Sequence, residues 1–404
     1  MGDFRMHMLL LTNYYPVPPS HIGGIFVTKR LENLKQHSID FDVFALVHDK
    51  NTLLKLLLKL LNKSKVDPLE GVNFIESNGV KYSYIHAPIG VLRVLSARNN
   101  PLRLAAVHMK SLFGIIDSKR YELVHAHCIY PEGYIACLIK NKYDLPCVLT
   151  AHGFDIHTLP YTQPELKPII LETLQSADKV IFVSNALLKK AMELGYSGEN
   201  AVVIPNGVSI SSFSILDKTE ARRSNGIYEP DMHYVGFVGN LFEVKRVDKF
   251  PEIFLNIKNK IPNVKFIIVG GGNLRDTIQE EFVTNNLDVI FTGRVYPELV
   301  PSWLNCMDCL VLPSRNEGWP CVVLEAQACG VPVVGSNAGG IAESVGEGGL
   351  IVEEGDHFED RFAEAVCNIL RNPLNSKQLR KRTLEYDWEK IVQKEIEIYQ
   401  SLLR

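Results

Sequence analysis

The chain predicts an α/β fold in two domains, each built on a parallel sheet. Short apolar runs alternate with longer periodic segments from end to end, the pattern of strands buried on both faces with helices as crossovers. The runs fall into two series that each start afresh, and between them Ile204–Asp231 is rich in Ser, Asn, Gly and Pro and weakly periodic. A length of 404 residues also exceeds what one compact core usually holds.

In the first series the strands are expected at His7–Asn13, Phe41–Val47, Tyr121–His127, Cys147–His152 and Val180–Ser184. The second series gives Tyr234–Gly239, Phe266–Val269, Val289–Thr292, Cys309–Pro313, Val331–Gly335 and Leu350–Val352. The closing segment Asp387–Arg404 has apolar positions at Trp388, Ile391, Val392, Ile396, Tyr399 and Leu402, so it reads as an amphipathic helix. No strand follows it, and it must pack on an existing surface. The domains are therefore residues 1–205 with the returning helix 387–404, and residues 206–386.

Composition removes several classes. Apolar residues make up 46% and charged residues 22%, which suits a globular chain rather than a disordered one. A net charge of -3 argues against a nucleic-acid binder, whose phosphate contacts need a basic excess. The eight cysteines lie mostly inside apolar runs and point to a reducing compartment. Cys306 and Cys309 form a CxxC, but no second pair sits at zinc-ribbon spacing, so a metal or redox site is the minor reading. The start, MGDFRMHMLLLTNYYP, reads as a first strand without a secretory signal, and no run is long enough to span a membrane. A cytoplasmic protein is expected.

Ligands of open parallel sheets bind outside the carboxyl ends of the strands, so candidate residues should follow strands. Ser314–Gly318 (SRNEG) follows CLVLP, and Trp319-Pro320 opens a helix with proline in its first turn, which places Glu317 at the helix mouth. Glu325, eight residues on, falls about two turns inside the apolar helix CVVLEAQACG, where a carboxylate is costly unless hydroxyl donors reach it; an exposed helix Glu and a capping Glu are the plainer alternative. Gly339-Gly340-Ile341 after VPVVGS, and Pro16–Gly24 after the first strand, are loops whose glycines admit close backbone approach; either alone could be a plain turn, and one in each domain suggests a ligand held between them. Lys245 in GNLFEVK is placed to reach a diphosphate, unless it is simply solvated. His152 in TAHGFDIH can donate to a substrate oxygen or be a satisfied core histidine. His125 and His127 share a strand face, with no third metal ligand at useful spacing. Gly270–Gly272 lacks the G-x-G-x-x-G spacing of a dinucleotide site, and Asp40-Phe41-Asp42 alternates into a strand and is discounted as a metal site.

Taken together these residues resemble the retaining GT-B glycosyltransferases of family 4. The resemblance covers nearly the whole chain and is most specific in PSRNEGWPCVVLEAQACGVPVVGSNAGGIAESV, which is similar to the family's E-x7-E block (Glu317 to Glu325) and the following Gly-Gly-x-x-Glu ending at Glu343. HAHCIYPEGYIA, LTAHGFDI, VSNALLKK, VIPNGV, GNL-x3-K and VIFTGRV support it. It implies the GT-B fold, two Rossmann-like domains whose parallel sheets face a central cleft, and a metal-independent hexosyl transfer from a nucleotide diphosphate sugar to a hydroxyl acceptor, with no other cofactor. Glu325 would bind the ribose, while Glu317 with Gly318 would contact the transferred sugar. Gly339, Gly340 and Ile341 would give backbone donors, and Lys245 with Asn240 would lie on the diphosphate. Gly293 and Arg294 would flank the base, His152 the sugar, Gly23 and Gly24 the phosphate or acceptor, and His127 the acceptor side. Two departures touch the phosphate clamp: Asn240 stands where many members have Arg, and Arg246 where Gly is usual after the lysine. Ser209 also replaces a common Asp after PNGV.

The charge is segregated. Lys and Arg outnumber Asp and Glu by 22 to 18 up to Gly207 and are outnumbered 21 to 28 beyond it, and Lys50–Lys110 alone holds ten against three. Within it, residues 51–65 (NTLLKLLLKLLNKSK) put Lys55, Lys59 and Lys63 in one stripe beside a leucine face. Two readings stand: a helix lying on an anionic membrane, or a crossover helix burying its leucines on the sheet. Arg93, Arg98, Arg103 and Lys110 nearby favour the membrane, hence a peripheral position on the inner face of the cell membrane and a lipid-linked or cell-surface glycan precursor as acceptor. The rival enzyme is a GT-B nucleotide-sugar isomerase without an acceptor. A non-catalytic sugar-nucleotide sensor and a nicotinamide oxidoreductase follow it.

Overall fold

The computed structural model describes residues 5–16, 23–50, 72–89, 108–109 and 112–404. Residues 51–65, Arg93, Arg98, Arg103 and Lys110 lie outside the described residues. The chain divides into two units, Met1–Ile204 with Val392–Arg404, and Pro205–Ile391.

In the first unit the strands are β1 (Met6–Thr12), β2 (Ile39–Lys50), β3 (Phe74–Ser77), β4 (Val80–Ile89), β5 (Leu123–His127), β6 (Cys147–Ala151), β7 (Lys179–Phe182) and β8 (Ala201–Val203). They form one sheet in the order β3-β4-β2-β1-β5-β6-β7-β8, parallel except for the antiparallel pair β3–β4. Its central strands are buried on both faces, β5 carrying His125 and His127 and β6 Thr150 among their apolar residues. Helix α1 (Ile25–Gln36) follows β1, while α2 (Tyr134–Tyr143), α3 (Lys167–Ser176) and α4 (Asn185–Leu194) join later strands. Ser184 caps α4, its hydroxyl accepting from the Leu187 N–H at 3.2 Å.

Three strands were absent from the sequence expectation: β3, β4 and β8. The first two make a hairpin whose signal was present. Asn78-Gly79 joins them with both residues at positive φ (51° and 74°), the turn that matches strand twist.

The second unit holds β9 (His233–Val238), β10 (Val264–Val269), β11 (Val289–Gly293), β12 (Cys309–Leu312), β13 (Val333–Ser336) and β14 (Gly349–Val352) in the all-parallel order β11-β10-β9-β12-β13-β14. The order reverses between β9 and β12, which makes the carboxyl ends of these strands the place for a ligand. Helix α5 (Phe250–Lys260) shows how the core closes: Phe250, Ile253, Phe254 and Ile257 recur at helical spacing, all fully buried, and Phe254 stacks on Phe266 of β10 at 4.1 Å. The later helices are α6 (Arg275–Thr284), α7 (Cys321–Ala328), α8 (Ile341–Val345), α9 (Phe358–Arg371) and the returning α10 (Trp388–Leu402).

The returning helix differs from its expected assignment, since Asp387–Ile391 go with the second unit. The cause is local. Val208 N–H donates to Tyr386 O at 2.9 Å, Trp388 N–H returns a bond to Val208 O, and the Trp388 indole lies against Gly207, where a Cβ would meet it at 2.7 Å. From Val392 onward the helix packs in the first unit. Cys306 and Cys309 of the CxxC bond to backbone carbonyls, Ser302 O at 3.3 Å and Leu310 O at 3.6 Å.

Candidate functional site

Three loops of the second unit meet at the strand ends. After β9, Glu243–Lys245 forms a single 3-10 turn, and the Lys245 ammonium pairs with the Glu317 carboxylate from the loop after β12. Both side chains are mostly covered, at 21% and 14% exposed. The third loop follows β13. Gly339 sits at φ +61°, where L side chains are rare, and a Cβ there would land on the Glu317 carbonyl oxygen. Gly340 then donates its N–H to that same carbonyl at 2.9 Å. The backbone of Glu317 thus anchors the glycine loop while its side chain holds the lysine.

A strap fixes the first two loops. Arg315 makes a bidentate pair with Asp248 at 2.7 Å for each bond, and its own N–H donates to Val244 O at 2.8 Å. The guanidinium holds the Asp248 carboxyl below its usual range. Sequence reasoning missed this pair, because nothing in the spacing of Asp248 and Arg315 distinguishes it from two solvated charges.

Glu325 lies little more than one turn inside α7, shallower than expected, because Pro320 is the N-cap and the helix begins at Cys321. Its side chain is half-buried, and its carboxylate accepts no hydrogen bond among the described residues. Burial of its surroundings raises it to about 7. A carboxylate in such a place lacks hydroxyl or amide donors.

Of the residues expected to give backbone donors, Gly340 is committed to the Glu317 carbonyl and is not free for a ligand. The N–H groups of Gly339 and Ile341, the latter opening α8, have no acceptor among the described residues. Gly318 follows Glu317 in the same loop. Asn240 is exposed directly after β9. Gly293 ends β11 at φ +71°, and the exposed Arg294 lays its side chain beside Gly271 with no ion pair among the described residues. The triple glycine serves packing: a Cβ on Gly270 would collide with the Gly239 carbonyl, and one on Gly272 with that of Leu241.

Arg246 is engaged within its own unit. It pairs with Glu354 at 2.6 Å and covers the Phe358 ring at 4.0 Å. Its φ is +54°, the left-handed region in which glycine is at ease, which accounts for the family's usual glycine at this position.

The histidines belong to the first unit. The rings of His125 and His127 stack at 4.6 Å, and His127 Nδ1 lies 3.0 Å from His152 Nε2. His152 is partly exposed at the end of β6, against the rings of Phe26 and Tyr14. Burial, aided by the Arg30 guanidinium, holds His152 well below its ordinary value, and burial with its histidine neighbours does the same to His127. Gly23 and Gly24 lead into α1, packed against the Tyr14–Tyr15 backbone. Beside the histidines lies a set of acids that sequence reasoning passed over: Asp155, which accepts from the Ile129 and Gly153 N–H groups at 3.0 and 3.1 Å, and Glu132, whose burial raises it to about 8.

Residues 232–372 match the family described as glycosyl transferases group 1, and residues 73–212 match glycosyltransferase family 4. An uncharacterized glycosyltransferase of Methanocaldococcus jannaschii is 28% identical over 98% of this chain and 99% of its own. TuaC of Bacillus subtilis, named for glycosyl transfer in teichuronic acid biosynthesis, is 27% identical over 85% of this chain and 84% of its own. Among solved structures, HepE of Anabaena in complex with UDP matches with a TM-score of 0.70 at 18% identity, over 98% of this chain and 100% of that one. By its sequence matches and its two Rossmann-like parallel sheets, the chain belongs to the family 4 glycosyltransferases of the GT-B fold.

Proposed function

We propose that this glycosyltransferase moves a hexosyl group from a nucleoside diphosphate sugar to a hydroxyl of a lipid-linked or cell-surface glycan precursor, with retention of anomeric configuration and without a metal. The observation that carries the reading is the meeting of Lys245, Glu317 and the Gly339–Ile341 loop at the switch point of one parallel sheet, with the unpartnered Glu325 on the adjoining helix. Glu325 takes the ribose hydroxyls, Glu317 and Gly318 the transferred sugar. Lys245 and the free N–H groups of Gly339 and Ile341 stabilise the charge that develops on the leaving diphosphate. Asn240 lies on the diphosphate, Gly293 and Arg294 beside the base, and Gly23 and Gly24 toward the phosphate or acceptor. His152 hydrogen-bonds the sugar, and His127 supports it on the acceptor side. Retention proceeds by front-face attack, a leaving-phosphate oxygen taking the acceptor hydroxyl's proton.

A uridine nucleotide is the first donor to try, because HepE is described with UDP and with UDP-glucose. TuaC's name favours a polysaccharide precursor as acceptor and transfer over isomerisation. The test is a panel of nucleotide sugars scored by thermal stabilisation. A donor at 100 times its dissociation constant adds about 2.7 kcal/mol, and if no nucleotide sugar raises the melting temperature the reading fails. Nucleoside diphosphate released only when an acceptor is added marks a transferase; turnover without acceptor marks the isomerase. The anomeric configuration of the product, read by NMR, tests retention.

A further inference from the structure

Residues 375–383 (NSKQLRKRT) of the second unit build a short helix, Ser376–Thr383, behind its N-cap. The cap is Asn375, whose carboxamide oxygen accepts from the Lys377 and Gln378 N–H groups at 3.0 and 3.2 Å. Leu379 and Thr383, four residues apart, are the buried stripe of this helix, and Arg380 and Arg382 fall one on either side of it. Arg380 donates to Ala328 O at the end of α7 at 2.9 Å, and to Phe213 O and Ile210 O at 2.6 and 3.0 Å. It ties the carboxyl end of α7 to the stretch 210–213.

Arg382 reaches two helices at once. Its Nη1 donates to Gln327 Oε1 of α7 at 2.5 Å and its Nη2 to Glu343 O of α8 at 3.2 Å. Gln327, with 0% exposure, turns its other end to the same neighbour, Nε2 donating to Val345 O at 2.9 Å. A helix as short as α8 cannot satisfy the carbonyls of its last turn internally, so they are met from outside. The chain leaves room for this clamp: a Cβ on Gly346 would lie 2.7 Å from Arg382 Nη2, and one on Gly348 2.2 Å from Gln327 Nε2. The guanidinium also faces the Tyr386 ring, 5.2 Å from its centroid, and that ring lies 5.8 Å from the ring of Trp319, two residues after Glu317.

These contacts join the two elements between which a nucleotide would be divided. Glu325 stands two residues before Gln327 on α7, and the Gly339–Ile341 loop runs straight into α8. Two groups that must hold one ligand hold it best when their spacing is fixed beforehand. We infer that Arg382 is a positioning residue for the donor: by joining α7 to α8 it sets the distance between Glu325 and the glycine loop, so that the ribose and the diphosphate of a single nucleotide are met together. The division of the nucleotide between these elements rests on the function proposed above; the clamp does not.

The clamp is tested on the ligand-free full chain by amide hydrogen exchange, which reports local opening. Arg382→Met keeps the apolar stem and loses the fork. Exchange in α8, where the Ser344 and Gly346 N–H groups bond to Gly340 O and Ala342 O, is expected to quicken about tenfold, the scale of one lost hydrogen bond, with β10 unchanged. Exchange in α8 as slow as in the parent overturns the inference. An equal quickening of α8 and β10 also overturns it, because Arg382 would then be a general stabiliser. Should Arg382→Met fail to fold, Arg382→Lys, whose ammonium lacks the planar fork, is read by the same criteria.

Binding separates positioning from packing. UDP, ADP and GDP are titrated against the parent chain, and the one that binds is compared with its own nucleoside and with inorganic pyrophosphate, each of which engages one half of the site. Arg382→Met is expected to weaken the nucleoside diphosphate about tenfold and to leave the nucleoside and pyrophosphate within about twofold, because only the ligand that spans both halves depends on their spacing. Equal weakening of all three, or no weakening of the nucleoside diphosphate, overturns the inference. If no nucleoside diphosphate binds the parent chain, the donor reading fails and the exchange rates decide the clamp by themselves.

Discussion

Replacing Lys245 by alanine separates the two things this lysine does. In the folded protein its ammonium rests on the Glu317 carboxylate, and both side chains are largely but not fully covered. Ion pairs at such partly hydrated positions contribute about 0 to 1 kcal/mol to stability. The second unit has the size of a common domain, in which each kcal/mol corresponds to roughly 2–4 °C of melting temperature, so the variant should melt no more than a few degrees lower. Turnover should fall much further. If the ammonium neutralises charge that appears on the leaving diphosphate only as the glycosidic bond breaks, its loss removes one transition-state donor, about 10²–10³ in kcat. The assay pairs a melting curve with initial rates at saturating donor and acceptor. Lys245→Arg keeps the charge but not its compact shape and should fall between the two. A kcat within about threefold of the parent, alongside the small drop in melting temperature, would refute the reasoning, because Lys245 would then be a structural cation and nothing more.

Glu325→Gln should act in opposite directions on stability and binding. The folded-state value near 7 exceeds the ordinary 4.5, so as pH rises through that window the unfolded chain loses its proton first and stability falls; the variant escapes this and should be the more stable at about pH 8, with the difference vanishing near pH 4, as read from urea midpoints. Donor affinity should meanwhile weaken about 10- to 100-fold, the range of a hydrogen bond to a charged group, and a variant of unchanged affinity would remove Glu325 from the ribose site. Gly339→Ala places a Cβ on the Glu317 carbonyl at positive φ and should cost roughly 1–3 kcal/mol with weakened donor binding, measured by denaturation and titration calorimetry. Arg246→Gly loses the Glu354 pair and the Phe358 contact but relieves a left-handed backbone worth about 1 kcal/mol, so stability should change little and kcat not at all; a tenfold fall in kcat would put this arginine on the phosphate after all. Sedimentation with anionic and neutral vesicles tests residues 51–65, and absence of binding to both removes the membrane argument.

The parts of the fold that were legible in the sequence are those where one physical rule dominates. Strands such as β10, whose Phe266–Val269 stretch is buried on both faces, can only be apolar runs there. The hairpin Phe74–Ile89 was equally legible through Asn78-Gly79 but was overlooked, because its strand β3 alternates half-buried and exposed positions and no apolar run announces it. The division inside α10 could not be read at all. An amphipathic helix shows which face is buried but not against what, and only the Val208–Asp387 pairing reveals that its first turn belongs elsewhere.

At the candidate site the same distinction holds between residue type and commitment. Spacing singled out Glu317, Glu325, Lys245 and the Gly339-Gly340 pair, because loops after parallel strands are where a ligand must bind. Spacing could not say which of their polar groups remain free. Gly340 spends its N–H on Glu317, Arg246 its guanidinium on Glu354, and His127 its ring on His152, whereas Glu325, Arg294 and the Gly339 and Ile341 N–H groups hold nothing among the described residues. The departures at Asn240 and Arg246 follow from this. With no arginine at position 240 and the arginine at 246 paired with Glu354, the proposed function leaves Lys245 as the side-chain cation of the GNLFEVKR loop for a diphosphate, together with backbone N–H groups. Backbone donors do not titrate and are positioned by the glycine loop rather than by a flexible side chain. On the proposed function, binding of the diphosphate should therefore depend on the Glu317–Gly340 bond that shapes the loop as much as on the lysine charge, which would give Glu317 two separable roles, one for its carbonyl in shaping the glycine loop and one for its carboxylate toward the sugar.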